Sequence, residues 1–283
     1  MRMGFRENIY KTPDELRRMI EPGLITEAAL AAARPLIRAG VSTLEIDAAA
    51  EKAIVDRGGE PNFKLVPGYR HTVCASVNDE VVHGIPGGRV LQPGDIVSID
   101  AGAQYQEWNG DSAITVVVPD PSRPELVAER ETLSRITEGS LWAGIARLAR
   151  AKHLNEVGDA IQGYIELEGQ KVGHRYGILT DYIGHGIGRS MHEAPPVFNY
   201  RVKQKGPEVK PGLVVAIEPM VVMNKIDTYV GDDDWTVITE DGGASSHWEH
   251  SVAAHKDGIW VLTATDGGAA GLAPFGVVPT PIA

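Results

Sequence analysis

Pro93-Gly94-Asp95-Ile96-Val97-Ser98-Ile99-Asp100 and Pro211-Gly212-Leu213-Val214-Val215-Ala216-Ile217-Glu218 are two versions of one pattern. Each opens on a Pro-Gly turn, runs through β-branched and small residues, and ends on an acid. Each follows a His-Gly-Ile triplet, His83-Gly84-Ile85 in the first case and His185-Gly186-Ile187 in the second. Each is followed by one more acid in unusual company: Asp111 after Asn109-Gly110, and Glu249 between Trp248 and His250. The order His, acid, acid therefore occurs twice, the mark of an internally duplicated domain.

Alternation along a strand puts Val97 and Ile99 on one face and Ser98 and Asp100 on the other. In the partner run, Val215 and Ile217 oppose Ala216 and Glu218. A lone acid at a strand end ordinarily greets solvent. Two at the same place in a repeat weaken that explanation. Asn109-Gly110 reads as a turn signal before Asp111, at hairpin distance from Asp100, so that these acids face each other across adjacent strands. Brought together, Asp100, Asp111, Glu218 and Glu249 would repel and take up protons. Two divalent cations would balance their charge. Such a pair of ions ~3.5–4 Å apart is a hydrolytic device suited to peptide carbonyls.

Among the nine histidines, His185 sits between glycines that permit close approach. His83 and His192 lie in loops, as Val82-His83-Gly84 and Met191-His192-Glu193. His71, His153, His174, His247, His250 and His255 are expected to be bystanders, with His250 distinguished only by adjoining Glu249.

The remaining pattern is helix, helix, strands, repeated. Thr12-Pro13-Asp14-Glu15 starts a helix, and Pro22 is expected to kink or split the segment it begins. Ser42 or Thr43 caps a second helix that Gly58-Gly59 stops. Strands are expected near 72–77, 95–101 and 113–118, then helices over 124–149 and 155–169. A second set of strands is expected near 213–219, 235–238, 247–255 and 259–263. The fold class implied is α/β or α+β, two pseudo-equivalent halves (about 40–125 and 150–265) around a mainly antiparallel sheet covered by helices. Residues 1–265 form one domain. The Gly/Ala/Pro-rich tail 266–283 is expected to be a loosely docked extension.

The chain has 283 residues, enough for an ample core, and a net charge of −11, which argues against nucleic acid or an anionic membrane as partner. Its one cysteine, Cys74, excludes an internal disulfide and reads as a buried strand residue. No 18-residue apolar stretch occurs, and Met1–Glu7 has no apolar signal core, so a cytoplasmic location is expected.

From Lys11-Thr12-Pro13 to Leu262 the chain resembles the methionine aminopeptidases of the short bacterial type I. The motifs that carry the resemblance are Ser76-Val77-Asn78, Val82-His83-Gly84-Ile85-Pro86, Gly94-Asp95-Ile96-Val97 with Ile99-Asp100, and Gly110-Asp111. In the second half they are Gly184-His185-Gly186-Ile187-Gly188-Arg189, His192-Glu193, Pro211-Gly212, Ile217-Glu218-Pro219-Met220-Val221, Trp235-Thr236 and Glu249-His250. Each is weak alone, but all in order are specific.

The resemblance implies an α+β "pita-bread" fold and two metal ions held by Asp100, Asp111, His185, Glu218 and Glu249. The acids Asp111 and Glu249 would touch both ions. Mn²⁺, Fe²⁺ or Co²⁺ suits this donor set, and Zn²⁺ also fits. It further implies catalytic roles for three residues: His192 at the oxyanion, His83 at the scissile amide and Glu218 as proton shuttle. Phe63, Val66, Tyr69, Cys74, Met191 and Trp235 would line the pocket for the first side chain. Phe63 and Val66 stand where the family often has cysteine and tyrosine, Met191 where phenylalanine is usual, and His247-Trp248 where Gln and an aromatic are usual. The implied substrates are N-termini of nascent proteins and peptides, near the ribosome transiently, with the enzyme a monomer.

Two rivals compete with this assignment. An Xaa-Pro aminopeptidase or prolidase shares the fold, but Gly110-Asp111, Glu218-Pro219-Met220 and Glu249-His250 side with the methionine enzyme. A non-catalytic binding protein should have lost ligands, and all five are present.

Overall fold

The structure, a computed structural model, describes residues 9–283, so the N-terminal stretch Met1–Glu7 lies outside the described residues. Helix Pro13–Arg18 opens on a capping box in which Thr12 Oγ1 accepts from the Glu15 N–H and the Glu15 carboxylate accepts from the Thr12 N–H. The segment splits at Met19, and a second helix, Ile20–Ala33, follows. Pro22 stands in its first turn, where a missing N–H costs nothing. Ser42 caps helix Thr43–Asp56 with another capping box to Glu45.

Strands Ile96–Tyr105 and Trp108–Val117 are longer than expected. They form one hairpin closed by Gln106 and Glu107, both at positive φ (48° and 67°), between the paired residues Tyr105 and Trp108. That is the geometry of a tight two-residue turn matched to strand twist. Asn109-Gly110 is therefore not a turn but part of the second strand. Glycine is required there because a Cβ would meet the Pro22 carbonyl oxygen at 2.7 Å. Asp100, expected at a strand end, lies mid-strand.

The hairpin belongs to a nine-stranded, antiparallel sheet. In order, Trp108–Val117 pairs Glu249–His255, which pairs Val214–Ile217, which pairs Gly184–Gly186, with Glu193–Val197 at the edge. Val73–Val77 lies beside Ile96–Tyr105 on the far side. The hairpin 96–117 and the pair 214–217/249–255 meet at the centre, where Ala113 opposes Glu249 and Ser112 opposes His250. This is the expected α+β arrangement of two like halves.

Helices Pro124–Leu148 and Glu156–Val172 pack together. The second runs past the expected end at Gly169, because the left-handed C-cap is Gly173 (φ 71°). One core holds Ile46, Ile54, Ile99, Ile136, Ile161, Val215, Ile217 and Val252 from both halves. It seats the sheet on its helices.

The tail is not loosely docked. Leu272 is fully buried, Thr280 N–H donates to the Ile259 carbonyl at 3.0 Å, and His255 Nε2 donates to the Thr280 carbonyl at 2.8 Å. Its short helix Ala269–Leu272 packs on helix Pro124–Leu148, and Leu272 and Val277 join the main core.

Candidate metal centre

Five neighbouring strands deliver the predicted ligands to one point. Asp100 and Asp111 come from the hairpin, where Asp100 opposes Ala113 and Asp111 opposes Gly102. The two acids are therefore diagonal neighbours on one face, rather than directly opposite. Glu249 opposes Ala113 from the next strand, completing a row with Asp100. Glu218 follows Ile217, which opposes His250 and so sets Glu218 beside Glu249. His185 opposes Ala216 one strand further on. Ligand atoms of Asp111, His185 and Glu249 lie within 4.8 Å of one another, and all three residues are buried. His185 Nε2 is 3.9 Å from Asp111 Oδ2 and 3.4 Å from Glu218 Oε1.

The imidazole of His185 is oriented by its own backbone. Its Nδ1 lies 2.9 Å from the Gly186 carbonyl, which only accepts, so Nδ1 carries the proton and Nε2 turns a lone pair to the acids. Gly186 is needed for strand approach, since a Cβ there would meet the Ala194 carbonyl oxygen at 2.2 Å.

The electrostatics of the cluster call for cations. Asp100 Oδ1, Asp111 Oδ1 and Glu249 Oε1 are buried without a hydrogen-bond partner, a costly arrangement for an acid. Among the described residues the cluster's only ion-pair partners are histidines: His185 beside Asp111 and Glu218, and His247 beside Glu218. Burial pushes the Asp100 carboxyl up to about 7. It raises Asp111, Glu218 and Glu249 as well, helped by the neighbouring acids. Burial holds His185 down to about 4, so it is a neutral donor ready to ligate. Orphaned oxygens, a free imidazole nitrogen and unopposed negative charge fit divalent cations.

These five line one cavity of about 340 Å³. His83 and His192 stand on its wall, both pushed toward the neutral form by burial. The His192 ring centroid is 4.2 Å from that of His185, and the His83 ring packs edge-on against Tyr182 at 5.6 Å. Deeper in, Phe63, Tyr69 and Cys74 form a compact apolar cluster with Val66, Ile85, Met191 and Trp235. The Tyr69 and Trp235 centroids are 5.1 Å apart, and Tyr69 OH donates to the Val73 carbonyl at 2.8 Å. Cys74 opposes Asp100 across the strands, and burial together with that carboxylate keeps the thiol protonated. It is a wall residue, not a nucleophile.

His247 was expected to be a bystander and is not. It is buried, its Nε2 lacks a hydrogen-bond partner, and that atom lies 3.7 Å from Glu218 Oε2 in the same cavity. Its position two residues before Glu249 was the available signal, since alternate residues share a face. Ile85 in the pocket cluster was also missed. His250, by contrast, is occupied by Thr263 Oγ1 at 2.9 Å and Ser112 Oγ at 3.3 Å. His71 pairs with Asp47, and His153 approaches Glu156, both away from the cluster. The His174 ring bonds the Met223 carbonyl, and His255 bonds the tail.

A family profile, that of metallopeptidase family M24, matches residues 17–256. The chain belongs to that family. Methionine aminopeptidases of several bacteria are among its relatives. It is 41% identical to methionine aminopeptidase 1 of Bacillus subtilis (strain 168) over 257 residues, 90% of this chain and 98% of the relative. The enzyme of the same name from Mycobacterium tuberculosis is 42% identical over 261 residues, covering 92% and 96%. The crystal structure of methionine aminopeptidase from Thermotoga maritima superposes with a TM-score of 0.82 at 34% identity, covering 90% of this chain and 98% of that one. Prolidase from Pyrococcus furiosus shares the fold alone, at 22% identity and TM-score 0.64, with only 66% of its length covered. Type I methionine aminopeptidase is thus the branch of M24 to which the chain belongs, in the pita-bread fold, as a metal-dependent hydrolase. The Xaa-Pro and prolidase assignment is not favoured.

Proposed function

We propose that this M24 chain removes the N-terminal methionine from nascent polypeptides and peptides, preferring a small second residue, with two divalent ions held by Asp100, Asp111, His185, Glu218 and Glu249. The observation that carries the proposal is the convergence of three orphaned carboxylate oxygens and one unprotonated imidazole nitrogen at the floor of an apolar pocket. Asp111, His185 and Glu249, whose ligand atoms lie within 4.8 Å of one another, would hold the ions together with Asp100 and Glu218. The chemistry supplied by divalent cations bound there is polarisation of a peptide carbonyl and the lowering of a water's pKa toward neutrality.

The remaining steps fall to the chain's own residues. Phe63, Val66, Tyr69, Cys74, Met191 and Trp235 enclose an unbranched, sulfur-containing side chain and exclude water from it. Packed aromatic edges set the depth of that pocket, and so which side chains reach the carbonyl to the metal site. His192, neutral and facing the cavity, donates a hydrogen bond to the oxygen that gains charge as the carbonyl is attacked. His83 contacts the scissile amide nitrogen. Glu218 takes the proton of the attacking water and returns it to the leaving amine.

Mn²⁺, Fe²⁺ or Co²⁺ is the proposed ion, with Zn²⁺ also compatible with the donors. The catalytic unit runs to residue 265, with 266–283 an appended tail. A monomer acting in the cytoplasm, near emerging N-termini at the ribosome, is the setting proposed. No helix among the described residues is long and apolar enough to cross a membrane. Release of methionine from Met-Ala-Ser should require added metal and vanish with a chelator. Full activity in metal-free protein would remove the mechanism, and preferential cleavage of Ala-Pro peptides would restore the Xaa-Pro rival.

A further inference from the structure

Two sequence motifs have no part in the site as described: Lys11-Thr12-Pro13, where the family resemblance begins, and Glu193 beside His192. The fold joins them. Lys11 Nζ donates to Glu193 Oε2 at 2.6 Å, with the lysine side chain only 9% exposed and the glutamate 24%. A lysine so buried is rare unless its charge is paired. Glu193 Oε1 accepts from the Ser190 N–H at 2.9 Å, so one carboxylate closes the loop 190–193 on itself and ties it to Lys11. Met191 and His192, the two residues within that loop, both line the cavity.

Lys11 is itself anchored. Its backbone N–H donates to the Gly212 carbonyl at 2.7 Å, just ahead of the strand that leads to Glu218. On the other side of the loop, Asn109 Nδ2 donates to the carbonyls of Gly188 and Arg189 at 3.0 and 2.9 Å. The His192 ring lines the cleft, packs edge-on against the His185 ring at 4.2 Å and, among the described residues, makes no hydrogen bond of its own. The loop therefore carries the main share of its placement.

We propose that Lys11 is a positioning residue for His192, acting through Glu193 to hold the 190–193 loop against the strand that leads to Glu218. The proposal rests on the oxyanion role of His192 given above. Lys11 touches neither substrate nor metal ligands. Its loss would let the donor drift, and a misplacement of about 1 Å costs on the order of 10²-fold in rate.

The test is a double-mutant cycle in metal-loaded, full-length protein, with Lys11→Met and His192→Ala, read as kcat and KM on Met-Ala-Ser together with metal content. Lys11→Met is expected to lower kcat by about 10-fold or more, with KM and metal content little changed, and Lys11→Arg to restore most of it. In the His192→Ala background the same change should alter kcat by less than about 2-fold, because the two act as one unit. Equal losses in both backgrounds, or a normal kcat in Lys11→Met, would overturn the proposal. A normal kcat in His192→Ala would instead remove the oxyanion role, and this inference with it. Should Lys11→Met fail to fold, Glu193→Gln enters the same cycle, since it keeps an acceptor for Ser190 and drops the charge.

Discussion

In the first half of the sheet, Asp100 and Asp111 stand on one hairpin closed by Gln106 and Glu107. In the second half the equivalent strands, Val214–Ile217 and Glu249–His255, pair in the same way, but residues 218–248 intervene. That insertion carries Trp235 and His247 to the cavity. The acids of the two halves share one face of the sheet but not one register: Asp100 and Asp111 are diagonal, whereas Glu218, just past Ile217, stands directly across from Glu249. The histidines differ more: His185 lies in a strand with Nε2 among the carboxylates, whereas His83 sits at φ 61° in a loop and packs on Tyr182. Duplication of a motif thus conserved the face on which the acids stand, which strand alternation fixes, and freed their offset and the loops, which it does not.

If the acids are equivalent, Asp111→Asn and Glu249→Gln should fail alike. Each is expected to lose bound metal and abolish turnover, read by elemental analysis and methionine release; retention of metal by either would break the symmetry. His192→Ala should keep its metal and lose about 10²–10³ in kcat. The two histidines of the repeat should part company, with His185→Ala losing metal and His83→Ala keeping it. A pocket change such as Trp235→Ala should lower kcat/KM for methionine peptides by about 10–200-fold, the range for a lost apolar contact in a side-chain pocket. An unchanged ratio between Met-Ala-Ser and a norleucine analogue would then say the wall is set elsewhere.

A milder effect concerns stability. In metal-free protein the Asp100 carboxyl holds its proton up to about 7, against an ordinary value of 3.8. The folded state then binds more protons than the unfolded chain between those limits, so stability falls as pH rises through that window. Below it the contribution is complete, and above it the contribution is gone. Thermal melts of chelated protein should show a Tm that declines from about pH 4 to 7, and metal loading should flatten the trend. A flat or rising Tm without metal would contradict the burial argument.

Much of this was legible before any coordinates. The paired acids were readable because strand alternation and repetition act together, and the capping boxes at Thr12 and Ser42 fixed two helix starts. Asn109-Gly110 misled because its local turn preference was overridden by contact with Pro22 and by the bonds of Asn109 to Gly188 and Arg189. The tail misled because Leu272 and Val277, buried in the core, and a few backbone bonds outweigh a loop-like composition. His247 was hidden because its role depends on Glu218, which lies on another strand. Long-range pairing is what a local pattern does not carry.

The central claim is that opposed halves clasp a pair of cations. Protein loaded with Mn²⁺, desalted and analysed for metal tests it most directly. Close to two ions per chain are predicted for the wild type, and a clear deficit for Glu249→Gln. A wild type that retains no metal, or a variant that retains as much as the wild type, would contradict it.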